Sequence, residues 1–475
     1  VTAPDALVVG SGPNGLAAAV ALARAGWRVE VREGAAEPGG GARTLPLTLP
    51  GFLHDHCSAV HPLAAASPFF RALPLAGHGL ELLEPPAAVA HPFDDGTAAL
   101  LLRGLGDTGA TLGPDAAAWA RLLGPLALRF GPLLGELLGP VLHRPRRPLL
   151  LARFGVAALA PAASLARVAF RGPRAQALFA GLAAHAVLPL ERSPSAAFGL
   201  VLGAAGHAVG WPFPRGGAGR ITAALASLLR AHGGELRTGA PVAALDELPP
   251  SRATLLDVGP RALAALAGDR LPAGFRGRLE RFRYGPGVVK VDYALAGPVP
   301  WRARDCALAG TVHLGGTLEE IAAAEAAAWR GEPWPRPFVL VAQPSAFDPT
   351  RAPPGRHVLW AYAHVAHGLG GAGPAAAAVE AQLERFAPGF QELVLARAVR
   401  GPRDLERENP NLVGGDVGGG AVTLGQLLVR PASAVAPYAT PVPGLWLCSA
   451  STPPGGGVHG MCGWNAAQAV LRRAG

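Results

Sequence analysis

The chain is 475 residues long, half of them hydrophobic and 16% charged, with a formal net charge of +9. That length buries a large core over two or three domains, and that composition excludes a disordered chain. The positive charge is dispersed arginine, without runs of like charge or interleaved aromatics, which argues against a nucleic-acid partner.

The first predicted unit covers residues 6–33, ALVVGSGPNGLAAAVALARAGWRVEVRE. An apolar run at 6–9 suits a strand buried on both faces. Gly10, Gly12 and Gly15 complete GxGxxG, with Pro13 and Asn14 between them, and an alanine-rich helix follows to Gly26. A second strand ends at Glu33. The glycines give a tight turn, backbone approach to a pyrophosphate and close helix–strand packing, and the helix start offers free N–H groups. Glu33 can take both hydroxyls of an adenosine ribose, which disfavours a 2′-phosphate. Two further GxGxxG matches, at 104–109 and 368–373, lack the second strand and its acid and are read as decoys.

Next comes EPGGGART, where Gly40 and Gly41 bring backbone close to a phosphate and Arg43 adds a forked charge. The stretch HDHCSAVHP follows, with His54, Asp55, His56, Cys57 and His61. Its spacing matches no zinc pattern, so no metal is expected, and both a role beside the cofactor or substrate and a structural loop stay open. The region 114–200 reads as apolar helices broken by Pro and Gly. Within it, 143–174 carries Arg144, Arg146, Arg147, Arg153, Arg167, Arg171 and Arg174 along apolar segments. Two readings stand: peripheral contact with a membrane surface, and an ordinary amphipathic region with a solvated arginine edge. No run reaches the roughly 18 apolar residues of a spanning helix. No basic segment precedes the first strand, so no signal peptide is expected.

A helix is predicted over 221–231, a strand over 235–238 and another near Val242. Strand-like runs recur between 288 and 365. The first, VVKVDYAL, holds Lys290, the only lysine in a chain whose other cations are arginine. Alternation puts Val289, Val291 and Tyr293 on one face and Lys290, Asp292 and Ala294 on the other. A compact ammonium can hold one water and change its pKa when buried, whereas a guanidinium stays charged. A surface pair with Asp292 is the other reading. Asp416, in GGDVGGG, is read as a turn residue. At the C-terminal end, a strand at 445–448 and a Gly/Pro loop lead into a helix over 461–472. That repeats the logic of the N-terminus, strand, tight loop, helix start. The four cysteines, Cys57, Cys306, Cys448 and Cys462, form no CxxC and read as reduced thiols, against a disulfide reductase.

Taken together, GSGPNGLAAA, EPGGGART, PGFLHDHCSAVHP, PFPRGGAGRITAAL, YGPGVVKVDYAL, VGGDVGGG and CSASTPPGGGVHGMCGWNAA give the chain a resemblance to the phytoene-desaturase-like FAD oxidoreductases. It is most similar to the branch named for a pyridine-nucleotide-disulphide oxidoreductase domain, and the motifs span nearly the whole chain. The resemblance implies an α/β fold: a Rossmann-type FAD-binding domain of glutathione-reductase/amine-oxidase type, from 1–70, 205–287 and 436–475, interleaved with an α+β substrate domain from 71–204 and 288–435. It implies that FAD is held by Gly10, Gly12, Pro13, Asn14, Gly15, Glu33, Gly40, Gly41, Arg43 and Val242. The C-terminal contacts would come from Ala450, Ser451, Gly457, Val458, His459, Gly460 and Met461. The Lys290 strand also resembles the strand of flavin amine oxidases whose lysine is bound through water to flavin N5, with Pro300-Trp301 nearby.

The expected activity is hydride transfer from an apolar, isoprenoid-like substrate to FAD, followed by reoxidation by oxygen or a quinone. Lys290, His459 and Asp55 are the expected catalytic groups, and the expected location is cytoplasmic, peripheral to the inner face of a membrane if the 143–174 surface docks. Amine oxidation and a redox-neutral isomerase using reduced FAD are alternatives. A non-catalytic lipid carrier is a rival from another class, which Glu33, Arg43 and the C-terminal loop–helix argue against.

Overall fold

The computed structural model describes residues 3–474. Two sheets organise it. Their strands are, in chain order, β1 Ala6–Val9, β2 Val29–Arg32, β3 Ala87–Pro92, β4 Ala98–Leu102, β5 Glu235–Arg237, β6 Ala253–Leu256, β7 Gly287–Leu295, β8 Ala309–Leu314, β9 Val339–Ala342, β10 His357–Val365, β11 Val394–Arg400 and β12 Leu445–Leu447. The helices used below are α1 Pro13–Arg24, α2 Pro148–Ala158, α3 Ala162–Ala169, α4 Pro173–Ala184, α5 Ser195–Val209, α6 Gly219–Ala231 and α7 Met461–Ala474.

The first sheet is parallel, in the order β12-β6-β1-β2-β5. Its central strand β1 is wholly buried, as a parallel strand covered on both faces should be. Helix α1 starts with Pro13 at its first position and Gly12 at its cap, and Gly26 turns the chain out of it at φ +86°. Helices α6 and α7 pack against α1. At the α7 contact a Cβ on Gly463 would lie 1.8 Å from the Asn14 carbonyl oxygen, so only glycine permits that approach. This is a Rossmann-type dinucleotide-binding architecture, drawn from three separated stretches of chain.

The second sheet is mixed, in the order β11-β7-β10-β9-β8-β3-β4. Strand β7 lies inside it, paired antiparallel to β10 and β11. Val289, Val291, Tyr293 and Leu295 pack into a core with Val379, Leu383, Phe386 and Phe390. Lys290 and Asp292 take the opposite face, in the register Lys290–Tyr362–Leu340–His313 and Asp292–Trp360–Ala342–Thr311. Those two rows floor a cavity. Helix α5, packed on α4, contributes Phe198 and Leu202 to its lining.

The two GxGxxG matches read as decoys lie at ordinary helix starts, 104–109 at Leu105–Leu112 and 368–373 at the loop entering Gly373–Phe386. Other expectations need correction. The segment around Val242 is not a strand; the excursion's second strand, after β5, is β6, which pairs directly with β1. Arg174, counted with the surface arginines, turns inward: its guanidinium donates to the Thr111 carbonyl at 2.6 Å and to Thr97 Oγ1 at 2.7 Å. No single helix among the described residues is long and apolar enough to cross a membrane, although α2 and α3, bent by 97° at their junction, pass that test as a pair.

Candidate functional site

One cavity of about 980 Å³ runs between the two sheets. At one end the β1–α1 turn supplies Gly10, Gly12, Pro13 and Asn14, and the end of β2 supplies Glu33. The Glu33 carboxylate is oriented by the Ser11 N–H at 2.8 Å, the Ser11 hydroxyl at 2.6 Å and the Ala35 N–H at 2.9 Å. Gly15 lies behind the turn, where a Cβ would stand 2.1 Å from the Gly10 carbonyl oxygen. Gly40, Gly41 and Arg43 line the same cavity, and the Arg43 guanidinium donates to the Gly40 carbonyl at 2.9 Å and the Glu408 carbonyl at 3.2 Å. Val242 lines it from the extended chain after β5.

The C-terminal loop closes this end with Ala450, Ser451, Gly457 and Val458. The Ser451 hydroxyl donates to the Gly419 carbonyl at 2.9 Å, tying the loop to the 416–420 turn. Asp416 holds that turn by accepting from the N–H groups of Gly285, Gly418 and Gly420, at 2.7, 2.7 and 3.0 Å. Its contacts are those of a turn residue, although it also lines the cavity.

Besides Gly15, three residues expected around a cofactor do not line the cavity. His459 is buried behind the loop, where its Nδ1 accepts from the Met461 N–H at 3.0 Å and its carbonyl accepts from Ser67 Oγ at 2.7 Å. Burial holds this imidazole down to about 4, so it is neutral and caps α7 rather than facing a substrate. That corrects the catalytic expectation for His459. Gly460 packs against Phe70 and Ala17, and Met461 begins α7 in the core.

Asp55 is the other correction. Its carboxylate is buried and engaged, accepting from Thr44 Oγ1 and the Ala218 N–H at 2.8 Å each and pairing with Arg351 at 2.9 Å. Such a carboxylate clamps β-ladder, loop and helix together with three of its roughly four acceptor sites, and it does not line the cavity. The neighbours in HDHCSAVHP also diverge. His54 Nε2 meets Thr48 Oγ1 at 2.7 Å, His56 pairs with Glu408 at 2.7 Å, and Cys57 and His61 line the cavity. Burial pushes the Cys57 thiol up to about 11, so it is not a nucleophile.

Lys290 lines the cavity between its two ends. It is 2% exposed and its ammonium is hydrogen-bonded to the fully buried Asp292. The pair is real but buried, not on the surface. Burial lowers the Lys290 pKa and raises that of Asp292, each opposed by the other partner. Arg400 stands 3.6 Å from Asp292 and 3.1 Å from Glu408, whose carboxyl is held near 2 chiefly by His56. A chain of charges thus links Lys290 through Asp292, Arg400 and Glu408 toward Arg43. The Lys290 ammonium also sits 5.7 Å from the centre of the Trp360 ring.

Sequence reasoning missed Arg400, Glu408, Trp360, Tyr362, His185 and Asp257, all within or beside this cavity. Asp257 follows β6 and accepts the Gly15 N–H at 2.9 Å; burial raises it to about 7, opposed by that N–H and assisted by Glu33. No local motif marks these residues. A hint for Asp257 was available: it is a lone acid directly after an apolar run, the pattern already read at Glu33.

Residues 8–73 match the family described as NAD(P)-binding Rossmann-like domain. The rat protein named pyridine nucleotide-disulfide oxidoreductase domain-containing protein 2 is 30% identical, over 98% of this chain and 93% of its own. A solved oxidoreductase from Methanosarcina mazei covers 98% of this chain and 99% of its own at 17% identity, with a TM-score of 0.64. Putrescine oxidase with putrescine bound covers 100% and 99% at 19% identity, with a TM-score of 0.63. The two structures share the fold. The chain belongs to the family of the rat protein, that of the pyridine nucleotide-disulfide oxidoreductase domain-containing proteins.

Proposed function

We propose that this oxidoreductase is FAD-dependent and desaturase-like, acting on an apolar, isoprenoid-type small molecule. The observation that carries the reading is the continuity of the cavity: one space leads from the Gly10–Glu33 turn, past Lys290, to an inner end with Phe198, Leu202 and Leu340. The donor set fits FAD. The α1 start would hold a pyrophosphate and Glu33 a ribose diol, and the cradle is extended by Arg43 and the C-terminal loop at 455–458. A nicotinamide dinucleotide alone has no use for that second cradle. Bound there, FAD supplies a two-electron acceptor for hydride from a substrate carbon.

The chain's own contributions are position, dryness and a proton acceptor. The walls of the inner end exclude water from the reacting carbon. Burial makes the Lys290 proton easier to lose than an exposed lysine's, and in its amine form Nζ would take up the proton that the substrate loses alongside the hydride. Asp292 and Arg400 fix the ammonium's place on the sheet.

Amine oxidation has less support. Trp360 and Tyr362 meet edge to face, with centroids 4.9 Å apart at 82°, and so leave no slot between parallel rings for an ammonium. The membrane contact proposed for an apolar substrate's route uses α2 and α3. There Leu149, Val156 and Val168 are 83–87% exposed, beside exposed Arg144, Arg146, Arg147 and Arg153.

The test is an anaerobic visible spectrum of the purified protein, before and after adding isoprenoid precursors or amines. Flavin bleaching by the isoprenoids alone is the expected result. Bleaching by amines alone would move the assignment to amine oxidation, flavin that never bleaches would favour the isomerase, and failure to take up FAD would favour a lipid carrier.

A further inference from the structure

The inner end of the cavity is not uniformly apolar. Trp360 Nε1 and Thr311 Oγ1 are buried and have no hydrogen-bond partner among the described residues, and both residues line the cavity. Trp360 is 9% exposed and Thr311 is 2% exposed. They occupy one row of the sheet, Trp360 on β10 and Thr311 on β8, with Ala342 of β9 between them. The small side chain between leaves the floor open where the two polar groups stand. Across from this row the wall carries His185, whose Nε2 lies 3.2 Å from His313 Nε2 and whose ring packs edge-on against Trp211. Burial holds His185 down to about 3, so the imidazole is neutral and places no charge at this end.

Buried polar groups left unpaired are costly, and a site that keeps them is built to have them met. The indole N–H is a donor only, so what meets it must be an acceptor. A protonated amine offers only donors and is refused. A carboxylate finds no free cation here, because Lys290 is committed to Asp292.

We propose that the inner end of the cavity recognises a neutral oxygen on an otherwise apolar substrate, a hydroxyl or carbonyl, which accepts from Trp360 Nε1 and pairs with Thr311 Oγ1. The substrate is an oxygenated isoprenoid-like molecule, not a bare hydrocarbon. This rests on the oxidoreductase reading of the same cavity and narrows its substrate class.

Two probes test it: farnesol and farnesene, the hydrocarbon that farnesol's loss of water leaves. Equilibrium dialysis of the full-length protein with radiolabelled probe, with and without FAD, gives both affinities. One well-made hydrogen bond at a buried donor makes farnesol bind about tenfold tighter. Trp360→Phe keeps the ring and removes the N–H; Thr311→Val keeps the shape and removes the hydroxyl. Each should lower the preference, and the double variant should bring it to about unity, while circular dichroism stays that of the unchanged protein. Equal affinities in the unchanged protein, no binding of either probe, or a preference that survives both substitutions overturns the proposal. Failure to bind FAD is read separately from the visible spectrum, and it would remove the cofactor assignment while leaving the oxygen preference to be judged on the dialysis alone.

Discussion

The two ends of the cavity are built on different principles. The dinucleotide end is made mostly of backbone: Gly10, Gly12 and Gly15 lie close together in the chain and each meets a demand set by close approach, while Glu33, 18 residues after Gly15, adds a carboxylate. The inner end is made of side chains. Thr311, Leu340 and Trp360, with Lys290 on the approach, come from four strands and become neighbours only through register. A backbone site tolerates no added atom, whereas a side-chain site can be altered one group at a time with the sheet intact. Substitutions at the first end should therefore abolish, and those at the second should tune.

The largest effect is expected at Gly15. In Gly15→Val the new Cβ would stand 2.1 Å from the Gly10 carbonyl oxygen, backbone against backbone, where no rotamer change relieves it. Overpacking of this kind costs about 3 kcal/mol. The purified variant should carry no FAD by its visible spectrum and unfold at lower denaturant. The decoy glycines sharpen the contrast. A Cβ on Gly106, exposed within the Leu105–Leu112 helix, meets nothing within 4 Å. Gly106→Ala should raise stability by about 0.5–1 kcal/mol. One pattern thus gives opposite signs, and equal outcomes at the two glycines would break the comparison.

The same contrast governs what was legible in the sequence. The β1–α1–β2 unit could be read because spacing alone specifies it. The face carrying Lys290 could be read because alternation along one strand specifies that too. Asp55 and His459 misled because a dense polar cluster does not say which way its side chains turn. Asp55 went to Arg351, 296 residues on, and His459 to the first turn of its own helix. Arg400 and Trp360 carry no local signal at all, since their roles depend on pairing with residues about 70 and 110 positions away in the chain. β6 was missed because ATLL, three apolar residues and a threonine, looks like any other short run in an Ala/Leu-rich chain.

Next in size is Lys290→Met. It leaves the Asp292 carboxylate fully buried with Arg400 as the one charged partner nearby among the described residues, at 3.6 Å, beside a His54 imidazole that burial keeps neutral, also at 3.6 Å. Breaking a buried pair from one side costs about 3–5 kcal/mol, a figure Arg400 brings toward its lower end. Adding Asp292→Asn should restore most of that loss in a denaturant titration, since no unpaired charge then remains. The rate of flavin reduction should fall about 100-fold in both variants, because neither has an amine to take up the substrate's proton. Recovery of stability and rate together would assign Lys290 a structural role only.

A smaller effect is expected from pH at the dinucleotide end. Asp257 rises from 3.8 in the open chain to about 7 when folded, chiefly through burial. It is therefore protonated in the folded protein below about 7, and the stability this contributes at low pH is lost as pH rises from about 4 through 7. Above that, an anionic Asp257 beside the pyrophosphate turn repels the dinucleotide. FAD retention should weaken by up to about tenfold per pH unit above 7, read from released flavin fluorescence between pH 6 and 8.5. Asp257→Asn should flatten the profile, and a slope unchanged in that variant would remove Asp257 from the cradle's electrostatics.

The smallest effects belong to the surface, where neither backbone fit nor register constrains the side chains. On α2 and α3, Leu149, Val156 and Val168 are exposed together, and Arg144, Arg146, Arg147 and Arg153 form no ion pair among the described residues. Arg167 is engaged with Glu319 at 3.4 Å and contributes less free charge. Each free arginine near an anionic surface contributes about 1 kcal/mol, and this attraction is screened by salt, while the apolar contribution is not. Flotation should therefore capture the protein on vesicles with anionic lipid at low salt and capture several-fold less on neutral vesicles. Changing Leu149, Val156 and Val168 to Ser should reduce the bound fraction that persists at high salt, and changing the four free arginines to Gln should reduce only the salt-sensitive part. Absence of flotation on anionic vesicles at low salt would leave these helices as ordinary solvated surface and the cavity's substrate to arrive through water.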